Sequence, residues 1–506
     1  MRALIAALAV AAMGTAAAPT GAQAPDSAPA APTAAPAGTG DATSHLAATP
    51  APDAAGGGAG LSRLAPLIQD VIAKGGIPGI AVAVVRGGRT AWTGAFGVAD
   101  AASSRAVTSD TVFEAAALGE PVFAYAVLRL AERGEFDLDR PLPLLLPIAD
   151  LRNDPRASAV TARRVLSHSS GLASWRRGGP LEIASDPGDS FSHSREAYAY
   201  LQRAVEAVTS LPADEFVRRE VLAPLGMAAS SYVWRDAYDA SAAVGHDYLQ
   251  LPLAGEKPAR ADVATTLRTT AGDYARFLVE VLRPTLLKPA AVNRMLRPEV
   301  EVEKGIAWGL GWGLERTGGA TCFWHWGETA GSRSFAVGCP QTGDAVVVLT
   351  DGENGLSAAE PIVGEAIGGA HPVFSWLDFD RYDSPARTIR ERVVRAGIAN
   401  GERGAVRTLD ELERTYPKAA FTEKLLNRIG YELLGKKKVE AAIAVFERNV
   451  RLYPDAWNVY DSLGEALAAD GDVRLAIQNY EKSLKLNPGN ANAKAALREL
   501  RDAPRR

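Results

Sequence analysis

The stretch Pro78-Gly79-Ile80-Ala81-Val82-Ala83-Val84-Val85 runs into Arg86-Gly87-Gly88-Arg89 and then Thr90-Ala91-Trp92-Thr93-Gly94. Two β-rich runs flanking a glycine pair predict a hairpin, because glycine supplies the positive φ angles that a tight turn requires. Downstream, Phe123, Val127 and Leu130 fall at helical spacing and Gly134 supplies a stop, so a helix is expected from about Leu118. More helices are expected near Glu196 to Thr209 and Thr270 to Leu282, followed by strands at Gly309 to Leu314, Cys322 to Trp326, Arg333 to Cys339 and Ala345 to Thr350. Strands at both ends of a domain with helices between them predict an α+β architecture whose sheet joins the two ends.

Outward from this region the chain changes character. Residues 1–24 begin Met1-Arg2-Ala3-Leu4-Ile5-Ala6-Ala7-Leu8 and end Ala22-Gln23-Ala24, the layout of a secretory signal peptide; Ala16-Ala17-Ala18 is a rival cleavage region. The apolar run is too short to span a bilayer, so no transmembrane anchor is expected after cleavage, and no nearby cysteine could carry a lipid. An exported protein, periplasmic or secreted, is the expectation. Residues 25–60 are almost wholly Ala, Pro, Gly, Thr and Asp, which bury too little apolar surface to offset ordering entropy and predict a disordered linker. A formal net charge of -4 over 506 residues offers no basic stripe for nucleic acid.

Toward the other end, Gly430, Ala442, Phe446 and Pro454 recur as Gly464, Ala476, Tyr480 and Pro488, each displaced by 34 residues. That is the tetratricopeptide period, and it predicts an all-α repeat module over residues 385–502. A degenerate unit at Arg387 to Pro417 and a closing helix at Ala491 to Leu500 would supply the stacking neighbours that such repeats need. The module implies a protein or peptide partner, or else simple docking on the preceding domain. Lys436, Lys437, Lys438 and Arg448 would either favour an acidic partner or form a solvated charged face.

Several short motifs occur in order: Leu166-Ser167-His168-Ser169-Ser170-Gly171-Leu172, Pro187-Gly188, Pro224-Leu225-Gly226-Met227, Trp308-Gly309-Leu310-Gly311-Trp312 and His325-Trp326-Gly327. With them, residues 61–372 resemble the serine β-lactamase-like family of class C β-lactamases, D-alanyl-D-alanine carboxypeptidases and related esterases. The resemblance implies a β-lactamase/penicillin-binding-protein-like domain, an antiparallel sheet plus a helical region. It also implies Ser-x-x-Lys after a Phe, where a spacing of three puts nucleophile and lysine on one helix face. Here the segment reads Phe113-Glu114-Ala115-Ala116-Ala117-Leu118-Gly119-Glu120-Pro121, with Ala117 at the serine position and Glu120 at the lysine position. No Ser-x-x-Lys occurs anywhere in the chain. At the family's Tyr-x-Asn element the chain has His193 and Arg195, while Lys/His-x-Gly survives as His325-Trp326-Gly327.

The resemblance therefore implies a cleft lined by Glu120, His193, Arg195, His325 and Gly327 with no intact serine machinery. Carrying the family's geometry over brings Glu120 close to His193 with Arg195 nearby, a charge arrangement that favours an ionised carboxylate. Such a set either fills an abandoned cleft or lets Glu120 and His193 act on water. A peptidoglycan-derived or other small ligand would suit the old cleft. No cofactor or metal is expected: Glu120, His193 and His325 could form a two-histidine, one-carboxylate set, but no short-range ligand spacing supports it. His168 is read as a structural turn residue. Cys322 and Cys339, on successive strands in an exported chain, are expected to form a disulfide, with two buried thiols as the alternative.

Overall fold

The computed structural model describes residues 61–174, 179–317 and 319–502; the signal-peptide and linker expectations lie outside them. Helix α1 (Leu64–Gly75) leads into β1 (Gly79–Arg86) and β2 (Arg89–Asp100), the hairpin of the opening stretch. Gly87 and Gly88 take φ of 54° and 72° at its turn, the left-handed conformation that glycine adopts without steric cost. After β3 (Arg105–Ala106), β4 (Phe113–Ala116) leads into α2 (Gly119–Glu132). The helical region follows with α3 (Ala162–Leu166), α4 (Arg195–Thr209) and, after β5 (Leu267–Thr269), α5 (Ala271–Leu282). The chain then returns through β6 (Val300–Glu303), β7 (Ile306–Trp308), β8 (Gly313–Thr317), β9 (Ala320–Thr329), β10 (Ser332–Cys339) and β11 (Asp344–Thr350) to α6 (Ala359–Ile367).

Nine strands form one antiparallel sheet in the order β3-β2-β1-β11-β10-β9-β8-β7-β6. β1 therefore pairs with β11, so the first and last strands of the domain close the sheet between them. Because strand side chains alternate, Ala81, Ala83 and Val85 of β1 join the core under the helical region. Ile80, Val82 and Val84 pack on the other face with Leu64, Ile68 and Val71 of α1 and Ile362 and Val363 of α6. The strand expected at Gly309 to Leu314 is corrected here. β7 ends at Trp308, and Gly309–Trp312 form the turn to β8, with Gly309 N–H donating to Trp312 O. Gly311 sits at φ 85°, which a strand residue does not adopt, and a Cβ on Gly309 would meet Met295 O at 2.3 Å.

The C-terminal helices are α7 (Pro385–Thr415), α8 (Glu423–Gly435), α9 (Val439–Leu452), α10 (Trp457–Asp470), α11 (Val473–Leu486) and α12 (Ala491–Asp502). The 34-residue echo has a direct packing cause: a Cβ on Gly430 would meet Phe446 at 2.4 Å, and one on Gly464 would meet Tyr480 at 3.2 Å. Each glycine lets an aromatic ring of the next helix lie against its backbone. α7 is interrupted at Gly401, φ 60°, so the degenerate first unit is a kinked helix.

This module packs on the sheet domain. Tyr248 and Leu249 are buried within the same apolar cluster as Ile389, Val393, Leu433 and Ala441. Arg395 donates to Leu249 O at 2.8 Å, and the Arg390 guanidinium lies 4.5 Å over the Tyr248 ring. Lys436 is exposed as expected, whereas the reading of Arg448 as an exposed charge is corrected. Lys436 pairs with Asp247 of the sheet domain at 2.9 Å. Arg448 is 8% exposed and held by Asp410 and Glu413.

Candidate functional site

The site forms where the end of β4, the first turn of α2 and the middle of β9 meet. Gly327 on β9 approaches so closely that an added Cβ would meet Ala115 O at 2.3 Å and Ser334 Oγ at 2.5 Å. Ser334 Oγ itself donates to Ala115 O at 2.8 Å. Gly327 is therefore occupied by a backbone approach. Ala117 sits at the bend between β4 and α2, its carbonyl accepting from Glu120 N–H at 3.0 Å.

Glu120 lies in the first turn of α2, where the helix dipole favours a carboxylate. Tyrosine hydroxyls anchor that turn from the side: Tyr232 donates to Gly119 O at 2.6 Å and Tyr274 to Leu118 O at 3.1 Å. The Glu120 side chain is fully buried and meets three imidazoles. Its Oε2 is 3.0 Å from His168 Nε2, 3.4 Å from His325 Nε2 and 3.6 Å from His193 Nε2. His168 and His325 are fully buried, whereas the His193 side chain is 26% exposed and so is the histidine of the cluster that reaches solvent.

Hydrogen-bond partners fix where the ring protons lie. Ser194 N–H donates to His168 Nδ1 at 3.2 Å, so the neutral His168 ring carries its proton on Nε2 and donates it to Glu120. His325 Nδ1 faces Trp326 O at 2.8 Å, and a carbonyl can only accept, so the neutral His325 ring presents a bare lone pair at Nε2. Burial opposes ionisation of Glu120, yet the surrounding imidazoles hold its carboxyl well below the usual carboxylate range. Burial and neighbouring His193 push His168 down to about 4 against the pull of Glu120, so His168 is neutral at physiological pH. Three buried polar atoms here have no hydrogen-bond partner: Glu120 Oε1, His193 Nε2 and His325 Nε2. Buried polar atoms are ordinarily satisfied, so three in one place form a set that can accept a proton, a water or a cation.

The expected neighbours differ in two respects. Arg195 begins α4 and turns its guanidinium to Asp262, with contacts of 2.9 and 2.5 Å, in place of the expected approach to Glu120. His168, read as a turn residue, does occupy a turn, with φ 51° after α3. Its ring nevertheless joins the cluster, tilted against His193 and Tyr198 with centroids 4.2 Å and 5.0 Å away. The sequence marks the Ser167-His168-Ser169 turn but not the direction of the ring, which follows from the left-handed backbone at His168. Cys322 and Cys339 form a disulfide across β9 and β10, with Cα atoms 4.3 Å apart.

A nine-stranded antiparallel sheet backed by terminal helices, with a helical region over one face, is the β-lactamase/penicillin-binding-protein type of fold. Residues 64–363 match the beta-lactamase family, and the chain belongs to it; residues 458–490 match the tetratricopeptide repeat. Penicillin-binding protein 4 of Amycolatopsis lactamdurans is 28% identical over 330 residues, covering 58% of this chain and 85% of that protein. Esterase EstB of Burkholderia gladioli is 30% identical over 202 residues, covering 34% of this chain and 51% of the esterase. A beta-lactamase/D-alanine carboxypeptidase from Pseudomonas syringae superimposes with a TM-score of 0.56 at 16% identity, over 62% of this chain and all (100%) of that one, a likeness of fold. Among the described residues no helix is long and apolar enough to cross a membrane.

Proposed function

We propose that this family member does not carry out serine acyl transfer and instead uses the old cleft to bind a ligand without a covalent intermediate. The observation that carries this reading is the carboxylate of Glu120, buried among His168, His193 and His325 where the family resemblance expects a lysine amine. A methyl group at Ala117 has no lone pair to attack a carbonyl, and a carboxylate held ionised among imidazoles cannot replace the lysine's role beside it. The nearby hydroxyls are committed elsewhere: Ser334 donates to Ala115 O and Ser194 to Ala173 O. The chain is exported, in this reading, and takes a peptidoglycan-derived or other small ligand in the cleft. The repeats take a protein or peptide partner.

A second reading, hydrolysis by activated water, is favoured by one observation: the lone pair of His325 Nε2 and the unpartnered His193 Nε2 face the same carboxylate. Either nitrogen could take a proton from water, with Glu120 stabilising the imidazolium formed. One experiment separates the readings. Full-length protein is incubated with a fluorophosphonate and with benzylpenicillin, its intact mass is recorded, and ester and β-lactam turnover is followed in parallel. No adduct and no turnover is the expected result. Turnover without an adduct, lost in Glu120→Gln, would replace the first reading by the second, and a covalent adduct would overturn both.

A further inference from the structure

We propose that Glu120, His193 and His325 form a binding site for one divalent first-row transition-metal ion of the zinc type, with His168 as the residue that positions the carboxylate. The inference deepens the proposed function and rests on its premise that the cleft has left acyl transfer.

The spacing of the donors carries the argument. Around a tetrahedral ion with nitrogen and oxygen ligands at about 2.0–2.2 Å, neighbouring ligand atoms stand about 3.3–3.6 Å apart. Glu120 Oε2 is 3.4 Å from His325 Nε2 and 3.6 Å from His193 Nε2, too long for hydrogen bonds of ordinary strength and suited to two ligands sharing an ion. One donor atom from each of Glu120, His168, His193 and His325 lies within 4.8 Å of the others.

Protonation makes the same division. His325 has its proton on Nδ1, held by the Trp326 carbonyl, which is the outer contact that orients a metal-binding imidazole and leaves Nε2 bare. His193 Nε2 and Glu120 Oε1 also lack partners, and Glu120 and His325 are fully buried. His168 is excluded as a neutral ligand, because its Nδ1 accepts from Ser194 N–H and its Nε2 proton already points at Glu120 at 3.0 Å. Its place is that of a second-sphere donor to the carboxylate. Two imidazoles and one carboxylate leave a fourth position open for water or another ligand. The ligands come from the start of α2, the loop before α4 and the middle of β9, so no local motif announces them.

The test uses the untagged full-length protein, stripped with a chelator and dialysed, then titrated with Zn²⁺ in competition with a chromophoric chelator. One Zn²⁺ per chain is expected, with a rise in melting temperature on binding. His193→Gln, at the partly exposed position where folding is least at risk, should weaken binding at least about 100-fold, and Glu120→Gln should do the same. His168→Ala should cost about 10–100-fold, as loss of an outer partner does, and His168→Gln should recover part of that by restoring a donor. Circular dichroism shows that each variant is folded. Zinc binding that is absent, or unchanged in both His193→Gln and Glu120→Gln, overturns the proposal. If zinc is absent and the mass experiment shows no adduct, only this inference fails; an adduct fails the reading beneath it.

Discussion

Two buried pairings of histidine with glutamate in this molecule differ in how far they are satisfied. His371 sends Nδ1 to Glu315 Oε1 at 2.6 Å and Nε2 to Gly368 O at 2.9 Å, while Glu315 Oε2 accepts from Val373 N–H at 3.1 Å. The described polar atoms of that pair all have partners, and it pins the short helix Pro372–Leu377 to β8. At Glu120 the same residue types leave three atoms unpartnered. Buried polar groups are ordinarily satisfied, so the closed pair reads as a fastening, and the open cluster is the place where we propose a site.

The largest effect that would break this comparison is on stability. Removing one partner of a closed buried pair leaves the other uncompensated, so Glu315→Ala should cost about 3–5 kcal/mol in denaturant unfolding. Glu120→Gln in metal-free protein should stay within about 1 kcal/mol of the parent, because functional groups are commonly held at the expense of stability. Equal losses at the two positions would erase the distinction. Gly327→Ala comes next: a Cβ facing Ala115 O at 2.3 Å must push β9 from the β4 turn, costing about 1–3 kcal/mol. It should also weaken whatever binds at Glu120, which the same titration would detect.

A smaller effect separates the pairs by pH. Burial opposes charge on His371, but Glu315 and the Gly368 carbonyl raise its pKa above the ordinary value. Its folded pKa thus exceeds the unfolded value of about 6.5, so the stabilisation is complete below that pH and is lost as pH rises through the folded value. His371→Asn should therefore lose more melting temperature at pH 5.5 than at pH 9.5; a deficit that grows with pH would contradict the assignment of an imidazolium there. The smallest difference lies in the repeats. Gly430→Ala, facing Phe446 at 2.4 Å, should destabilise more than Gly464→Ala, facing Tyr480 at 3.2 Å, when both are compared by thermal unfolding.

Much of the fold was legible because period and punctuation are local. The Gly87-Gly88 turn, the helix after Leu118 and the 34-residue echo of Gly430 in Gly464 each follow from residues within a few turns of one another. The Gly309 to Gly311 turn was misread as strand because its apolar neighbours Trp308, Leu310 and Trp312 look like one; the close approach of Met295 O is a long-range fact. The cluster was half legible. Motif order placed Glu120, His193 and His325, but nothing in sequence shows that Arg195 would find Asp262. Nor does it show that the His168 ring would turn inward to take the place beside Glu120.

The most direct measurement is anomalous diffraction at the zinc edge from crystals grown with equimolar Zn²⁺. The expected result is a single peak about 2.0–2.2 Å from His193 Nε2, His325 Nε2 and an oxygen of Glu120, with His168 still donating to that carboxylate. A map with no peak at this position, or with zinc only on surface side chains, would contradict the claim that the cluster is an open site built for a cation.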